Sequence, residues 1–256
     1  MGRHVPALLV LVAAVAAWEG ALRSGLVSER VLPSLGDVFS AVPEVMTDAS
    51  SRFWFHLGVT ASEVGIGYGI AVVAGISLGG LVASSTLLRR VLYPLLVAFE
   101  VVPKVALVPL IILGLGYGVT SKAAVAALLA FFPLFLNTLQ GFSSADPKSL
   151  DLMRSLRANP LQRFRLYLVP QALPEIFSGL KIALTLAFIG AIVAELLTLQ
   201  SGLGFLINAF KHQLRMDMAF AATLIVALIS TSLFLSMEWL ERKLIFWTSP
   251  TTLFSD

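Results

Sequence analysis

The residues of this chain that could handle charge lie inside its most apolar segments. Glu100 and Lys104 are four positions apart, with the acid on the N-terminal side, which is the favoured order for an ion pair on one helix face. Pro103 lies between them and removes a backbone hydrogen-bond donor. A charged pair beside a broken helix is typical of a solute path through a membrane, where it could form a gate. It is equally typical of a structural ion pair that seals two helices together, and the residue types leave both interpretations open.

Three further polar residues interrupt apolar segments. Glu63 lies about two turns into one of them and either pairs with a basic residue or faces a vestibule. Glu195 lies near the end of another, where an interfacial carboxylate is favoured over a ligand contact. Asn137 could donate a hydrogen bond between helices. With Glu100, Pro103 and Lys104, these residues form our set of candidates for a solute path.

The residues needed for common enzymatic chemistry are missing from the sequence. No G-x-x-x-x-G-K-[ST] segment is present, so the phosphate-binding loop of an ATPase is absent. The chain has no cysteine, and His4, His56 and His212 are too far apart for a metal-ligand motif. We therefore predict a non-catalytic chain that carries no metal or cofactor of its own.

The composition identifies an integral membrane protein. Hydrophobic residues make up 57% of the chain and charged residues only 13%, whereas a soluble domain carries roughly 25% charged residues. The net charge of +3 would suggest nucleic-acid binding in a soluble protein. In a membrane protein it reflects Lys and Arg in cytoplasmic loops, so we expect a lipid bilayer and no nucleic acid as partner.

Hydrophobic segments long enough to cross a bilayer predict an all-α polytopic protein with six transmembrane helices in a single domain spanning residues 1–256. The third segment is interrupted by Pro94, Pro103 and Pro109. The expected spans are residues 5–22, 57–83, 91–116, 122–139, 176–199 and 218–240.

The first span also resembles a signal peptide, with Ala14-Val15-Ala16 as a cleavage site. We expect it to be an uncleaved helix, because the rest of the chain is polytopic. Residues 32–46 form an amphipathic connection, and residues 201–210 are too few to span. The distribution of Lys and Arg places both termini and the segment 146–174 in the cytoplasm.

Two glycine pairs lie in the second span at the spacing that lets helices approach closely. Gly65/Gly69 and Gly75/Gly79 both have the GxxxG pattern. We expect them to serve helix packing within one subunit, and a dimer seam is the alternative.

The segment 146–174 is polar and rich in arginine, and it holds two helix-start signals. Asp146-Pro147 and Asn159-Pro160 each place a capping residue before a proline at the first helical position. Leu150, Met153 and Leu156 follow the first signal at helical spacing, and Phe164 belongs to the set after the second. We therefore predict two short amphipathic helices with apolar faces available to a partner.

This loop resembles that of the inner-membrane permeases of ATP-binding-cassette (ABC) importers, whose pattern is Glu-Ala-Ala, three residues, Gly, nine residues, Ile-x-Leu-Pro. The same spacing here gives Asp151-Leu152-Met153, Arg157 and Tyr167-Leu168-Val169-Pro170. Arg157 replaces the family glycine, and because arginine has the higher helix propensity we expect the first helix to continue through it. The segments EVVPKVALVPLIILGLGYGVTSK and VAELLTLQSGLGFLI are similar to the branch that imports nitrate, sulfonates and taurine. Residues 103–107 and Glu63 look closest to permeases for thiamine-pyrimidine precursors and riboflavin.

The resemblance implies a type I importer permease in the cell (inner) membrane. It implies a permease dimer, two cytoplasmic ATPase subunits that hold ATP and Mg, and an extracytoplasmic solute-binding protein that delivers a small organic solute. A homodimer is the simpler expectation. It also makes the loop, at about residues 141–174, the coupling site for the ATPase. The coupling residues expected from the loop are Leu150, Asp151, Met153, Arg154, Leu156, Arg157, Ala158 and Phe164.

Two other classes of protein are the alternatives. A self-contained secondary transporter or channel has no need of a substantial two-helix cytoplasmic loop. A membrane enzyme is disfavoured because no catalytic constellation is present.

Overall fold

The computed structural model of the protein describes residues 5–25, 27–28 and 31–247, and all regular structure in these residues is helical. A short 3₁₀ segment, Lys104–Leu107, precedes α5, and a π-helical segment, Phe164–Leu168, joins α8 to α9. The α-helices are α1 (Val5–Arg23), α2 (Leu35–Thr47), α3 (Phe53–Ser84), α4 (Thr86–Val101), α5 (Val108–Leu115), α6 (Val119–Ser143), α7 (Pro147–Ser155), α8 (Pro160–Arg163), α9 (Val169–Thr198), α10 (Leu203–His212) and α11 (Met216–Leu244).

The core of the protein is the close packing of α3, α6 and α9. A Cβ atom on Gly67 would come within 2.6 Å of the Ala126 side chain, and one on Gly79 within 2.8 Å of Thr138. Residue numbers rise together along the two helices, so α3 and α6 are parallel. A Cβ atom on Gly190 would meet Ala126 at 3.0 Å, which together with the Gly179–Asn137 approach makes α9 antiparallel to α6. We call the end of the bundle that carries residues 144–159 the loop end, and the opposite end the far end.

The parallel arrangement of α3 and α6 requires the chain between them to return from the loop end to the far end. That return is made by α4 and by the segment Lys104–Leu115, which are bent by 79° at a short break. The break lies beside Pro103, as expected. Pro94 lies inside α4, and Pro109 lies in the first turn of α5, where no backbone donor is needed, so the expected interruption at these two prolines is wrong.

Four helices in the described residues are long and apolar enough to cross a membrane, or five if the bent pair counts as one span. The four are Phe53–Ser84, Val119–Ser143, Pro160–Thr198 and Met216–Leu244. The remaining expected span, residues 5–22, corresponds to α1, a helix of 19 residues, and the count of six stays a prediction. His4 lies outside the described residues.

The glycine expectation is confirmed for one pair and wrong for the other. Gly75 and Gly79 contact α6 within the subunit, whereas a Cβ atom on Gly65 or Gly69 would meet no described residue within 4 Å. The stripe that α3 presents to α6 is Gly67, Ala71, Gly75 and Gly79. These residues repeat every four positions, so they lie on one face of α3. This is the face that packs against α6.

Two shorter helices cover the far end. α2 begins at the Ser34 cap, where the hydroxyl accepts a hydrogen bond from the Asp37 backbone, and it packs on α11. The Glu44 carboxylate lies 2.9 Å from the Arg215 guanidinium and ties α2 to the start of α11. α10 packs between α9, α11 and α3, and its ten residues are too few to span, as expected.

Candidate functional site

The first half of the loop is a short, well-capped helix. The Asp146 side chain accepts hydrogen bonds from the backbone of Lys148 at 3.1 Å and of Ser149 at 3.3 Å. These hydrogen bonds, the Lys148 backbone first, hold the pKa of the Asp146 carboxyl below its ordinary value. The Tyr167 hydroxyl accepts a hydrogen bond from the Asp146 backbone at 3.0 Å, so α7 begins at a point fixed to the start of the long helix that follows the loop.

The expectation that α7 continues through Arg157 is wrong. The helix ends at Ser155, and Arg157 adopts a left-handed conformation with φ of 56°. The Ala158 backbone donates to the Met153 carbonyl at 3.0 Å and Arg157 donates to Arg154 at 2.9 Å, which together form a Schellman termination. The chain therefore turns at the position of the family glycine even though an arginine occupies it.

The second half of the loop is not a separate helix. Asn159 and Gln162 form a reciprocal capping box with both hydrogen bonds at 2.8 Å. From this cap the chain runs through α8 and the π-helical segment into α9, giving one helix of 39 residues, Pro160–Thr198. The helix start at Asn159 is confirmed, but the expected second short helix is the first part of the fifth span.

The loop exposes apolar side chains on both sides of its turn. Leu156 is 73% exposed, and Leu152, Leu161 and Phe164 are also exposed, whereas Leu150, Met153 and Ala158 are half-buried. Leu152 was missing from the expected set of coupling residues, although it occupies the second position of the family's Glu-Ala-Ala pattern. Asp151 and Arg154 form an exposed ion pair of 2.8 Å with each other. The turn at Arg157 therefore leaves leucine side chains exposed at the loop end.

The charged pair at the break between α4 and α5 has the expected geometry. The Lys104 ammonium lies 2.9 Å from the Glu100 carboxylate and donates to the Glu100 backbone carbonyl at 3.1 Å. It also lies 4.7 Å from the ring centre of Phe132, which provides a cation–π contact. α4 has no buried residue. The Glu100 side chain is 43% exposed, so the rest of the subunit leaves this side of α4 uncovered.

A second acid–lysine pair lies buried near the far end. Lys122 and Glu63 are separated by 2.9 Å, and their side chains are 1% and 0% exposed. The Lys122 ammonium also donates to the Ser201 carbonyl at 2.8 Å. Glu195, also fully buried, accepts a hydrogen bond from Thr60, which precedes Glu63 by one turn on α3. We call Glu63, Lys122 and Glu195 the far-end cluster.

The far-end cluster and its neighbours bind the N-terminus of α10. The backbone donors of Gly202, Leu203 and Gly204 reach His56 Nδ1 at 3.0 Å, Thr60 Oγ1 at 2.9 Å and Glu195 Oε2 at 2.7 Å. Thr60 in turn donates to the other Glu195 oxygen at 2.5 Å. Three successive backbone donors, otherwise unpaired at a helix start, are thus taken by side chains from α3 and α9.

Gly202 is required for this arrangement. Its φ of 110° disfavours other residues, and a Cβ atom would overlap the Glu195 carboxylate. Sequence reasoning missed Lys122 and Thr60 as partners of the two acids, and His56 as the acceptor of the Gly202 backbone donor. The available signal was Lys122 itself, a lone cation in the first turn of an otherwise apolar helix.

Asn137 does not form the expected hydrogen bond between helices. Its amide donates to the Pro133 carbonyl of its own helix at 2.8 Å, beside the position where Gly179 of α9 packs closely. The structure therefore separates the candidates for a solute path into three places: the far-end cluster, the break with Glu100, Pro103 and Lys104, and the α6–α9 contact with Asn137.

The membrane-spanning helices and the capped loop at one end define a polytopic membrane protein. The family model for the inner membrane component of binding-protein-dependent transport systems matches residues 71–246. The chain belongs to this family.

Curated relatives extend the match over most of the chain. The formylaminopyrimidine transport permease protein ThiX of Halalkalibacterium halodurans is 36% identical over 78% of this chain and 80% of its own length. The riboflavin transport system permease protein RibX of Chloroflexus aurantiacus is 33% identical over 96% and 90%. The taurine transport system permease protein TauC of Escherichia coli is 31% identical over 81% and 74%.

The protein is therefore a multi-pass permease subunit of an ABC importer of the nitrate, sulfonate and taurine branch in the inner membrane. It is a non-enzymatic subunit for the uptake of a small solute, and its family works with an ATPase and a binding protein.

Proposed function

We propose that the loop end is the docking site for ABC ATPase subunits. The observation that carries this proposal is the exposed leucine surface of α7 and its turn, held in place by the Asp146 cap and the Schellman termination. Apolar side chains on a rigid turn are the kind of residue that dominates binding energy at an interface. The contact surface is Leu152, Leu156, Leu161 and Phe164, with Asp151, Arg154 and Arg157 at its rim.

The orientation follows from this docking. The loop end faces the cytoplasm, both termini lie on that side, and two ATPase subunits bind ATP and Mg on their own chains. The far end faces outward, where α2 and α10 form the surface offered to the solute-binding protein. The 256-residue chain acts as one transmembrane domain with six spans.

The solute path lies between two copies of this chain. α4 has no buried residue, and the outer face of α4 and α5 carries Glu100 at 43% exposure together with exposed Leu110 and Leu113. A charged residue at membrane depth needs a protein or water neighbour, which a second copy supplies. Pro103, Glu100 and Lys104 then line the path, and Asn137, Glu63 and Glu195 support the helices around it.

The solute is a small heteroaromatic compound. Residues 103–107 and Glu63 resemble those of the pyrimidine and riboflavin permeases, and ThiX and RibX are relatives that cover most of the chain. Uptake of labelled pyrimidine precursors and riboflavin by the reconstituted transporter tests this, and uptake of taurine or an alkanesulfonate alone contradicts it.

Leu156→Asp tests the docking site. Because a buried carboxylate in place of an anchor leucine costs about 2 kcal/mol or more at an interface, ATPase retention should fall by roughly thirtyfold. The measurement is the amount of ATPase that co-purifies with the tagged permease, together with solute-stimulated ATP hydrolysis.

The matched control is Leu214→Asp, since Leu214 is equally exposed, at 76%, but lies at the far end. The control should retain the ATPase. Unchanged ATPase retention in Leu156→Asp, or equal loss in both variants, rejects the docking assignment.

A further inference from the structure

A groove at the loop end, between α4 and α6, has the properties of a lipid-headgroup site. Its volume is about 560 Å³, and one wall carries Arg89, Arg90 and Tyr93 from α4. The other wall carries Leu136, Leu139 and Ser143 from the last turns of α6. The docking loop begins directly after Ser143, so the groove lies where the bundle meets the aqueous phase.

The two arginines in this groove have no acidic partner within the described part of the chain. Neither takes part in an ion pair there, although Arg154, Arg215 and Arg242 each do. Both also lie near the N-terminal end of α4, where the helix dipole repels cations and attracts anions. Two unneutralised guanidinium groups at such a position favour an anionic ligand.

The hydroxyl group of one residue that lines the groove also lacks a partner. The Ser143 hydroxyl oxygen is buried, and it neither donates nor accepts a hydrogen bond among the described residues. Buried polar atoms are nearly always paired in folded proteins. A ligand oxygen in the groove would pair it, and this observation is independent of the arginines.

The apolar surroundings decide which kind of anion fits. Leu87, Val91 and Leu95 are exposed and repeat every four residues along α4, forming an apolar stripe that adjoins the groove residues Arg90 and Pro94 and leads away from the loop end. Tyr93 is exposed in the groove, as aromatic residues are at the membrane–water boundary. A soluble anion would use the arginines but not the stripe, whereas a phospholipid would place its phosphate on the arginines and an acyl chain along the stripe.

We propose that the groove binds an anionic phospholipid of the same membrane leaflet. Its phosphate pairs with Arg89 and Arg90, a headgroup oxygen bonds to Ser143, and one acyl chain follows Leu87, Val91 and Leu95. The bound lipid fixes α4, which lacks buried residues of its own, against the end of α6.

The test uses the purified, assembled transporter and native mass spectrometry with added phosphatidylglycerol or phosphatidylcholine. The wild type should retain phosphatidylglycerol in preference to phosphatidylcholine. Each basic residue near an anionic surface contributes about fivefold in affinity, so R89Q/R90Q should bind phosphatidylglycerol roughly thirtyfold more weakly. R89K/R90K keeps the charge and should retain most of the binding.

The matched control is R242Q/K243Q, which also removes two positive charges from the loop end of the bundle but lies on α11. It should bind phosphatidylglycerol like the wild type. Equal weakening in the two double variants would show general charge attraction and overturn the proposal.

Three other outcomes also overturn the proposal. Unchanged lipid retention in R89Q/R90Q removes the arginines from any lipid site. Displacement of the lipid by millimolar inorganic phosphate identifies a free-anion site. Loss of the second permease copy or of the ATPase from R89Q/R90Q, with lipid binding unchanged, identifies a protein interface.

Discussion

The two acid–lysine pairs of this permease have the same separation and opposite surroundings. Glu63 and Lys122 lie 2.9 Å apart, as do Glu100 and Lys104, but the first pair has almost no exposure whereas Glu100 is 43% exposed. The first pair joins α3 to α6 and, through the Ser201 carbonyl, reaches the turn between α9 and α10. The second lies at the break beside α5 and touches Phe132 of α6.

The difference shows that burial, and not distance, decides what an ion pair does. A buried pair has lost its hydration, so removal of one partner leaves a charge with no compensation. A partly exposed pair between neighbouring turns contributes little to stability, and its charges remain available to a ligand or to a second subunit. The far-end cluster is therefore the anchor of the fold, and the pair at the break is the functional candidate.

The largest effect is expected from Lys122→Met. It leaves two buried carboxyl groups without their cation, which should cost about 3–5 kcal/mol of stability. Glu63→Gln should cost less, because Lys122 keeps the Ser201 carbonyl and the nearby Glu195. Thermal unfolding of the purified variants gives the order, and a smaller loss for Lys122→Met than for Glu63→Gln would contradict the role of the far-end cluster.

An intermediate effect is expected from Thr60→Val. It removes the acceptor for the Leu203 backbone and the donor to Glu195, which should cost about 1–3 kcal/mol. The chain has no cysteine, so a single cysteine can be introduced as a probe. Leu206 is buried on α10, and the rate of thiol labelling of Leu206→Cys reports how readily that helix undocks. Labelling should be faster in the Thr60→Val background.

Thr223→Val is the control for this experiment. The Thr223 hydroxyl donates to Ala219 of its own helix, so its loss should leave the labelling rate unchanged. If Thr60→Val labels no faster than this control, α10 is not held by the far-end cluster and its neighbours.

The smallest effect on stability, and a large one on transport, is expected at the break. Glu100→Gln and Lys104→Met should each change stability by less than about 1 kcal/mol, since the pair is partly exposed. Each should impair solute uptake more than the double substitution does, because a single change leaves an unpaired charge in the path. Uptake by proteoliposomes is the measurement.

Additive losses of uptake in these variants would show that Glu100 and Lys104 do not act as a pair. Full uptake in both single variants would remove them from the path. A stability loss as large as that of Lys122→Met would erase the distinction between the two pairs.

Local signals in the sequence predicted the structure well where neighbouring residues decide it. The helix starts at Asp146 and Asn159, the break beside Pro103 and the Glu100–Lys104 pair all depend on groups within a few positions of one another. The termination at Arg157 failed because helix propensity favours continuation by only a fraction of a kcal/mol, and the Schellman hydrogen bonds outweigh it.

Contacts between distant segments could not be read from the sequence. Glu63, Lys122 and Glu195 are far apart in the chain, and nothing in their spacing shows that the parallel packing of α3 on α6 brings them together. The face of α3 that packs was also misjudged, since Gly65 and Gly69 have the same spacing as Gly75 and Gly79 but point away from α6. The role of Gly202 likewise becomes visible only once Glu195 is in place.

The sequence by itself determined that this chain is a polytopic helical permease with a capped loop. Hydrophobic length, proline position and capping residues are properties of short segments, and the bilayer leaves helices as the solution for such segments. Only the tertiary structure decided which charges are buried and which are free. That outcome depends on the rotation of each helix about its axis, which is set by the close approach of glycines and alanines on α3, α6 and α9. Desolvation of one Glu–Lys pair and not of the other then gives the two pairs different roles.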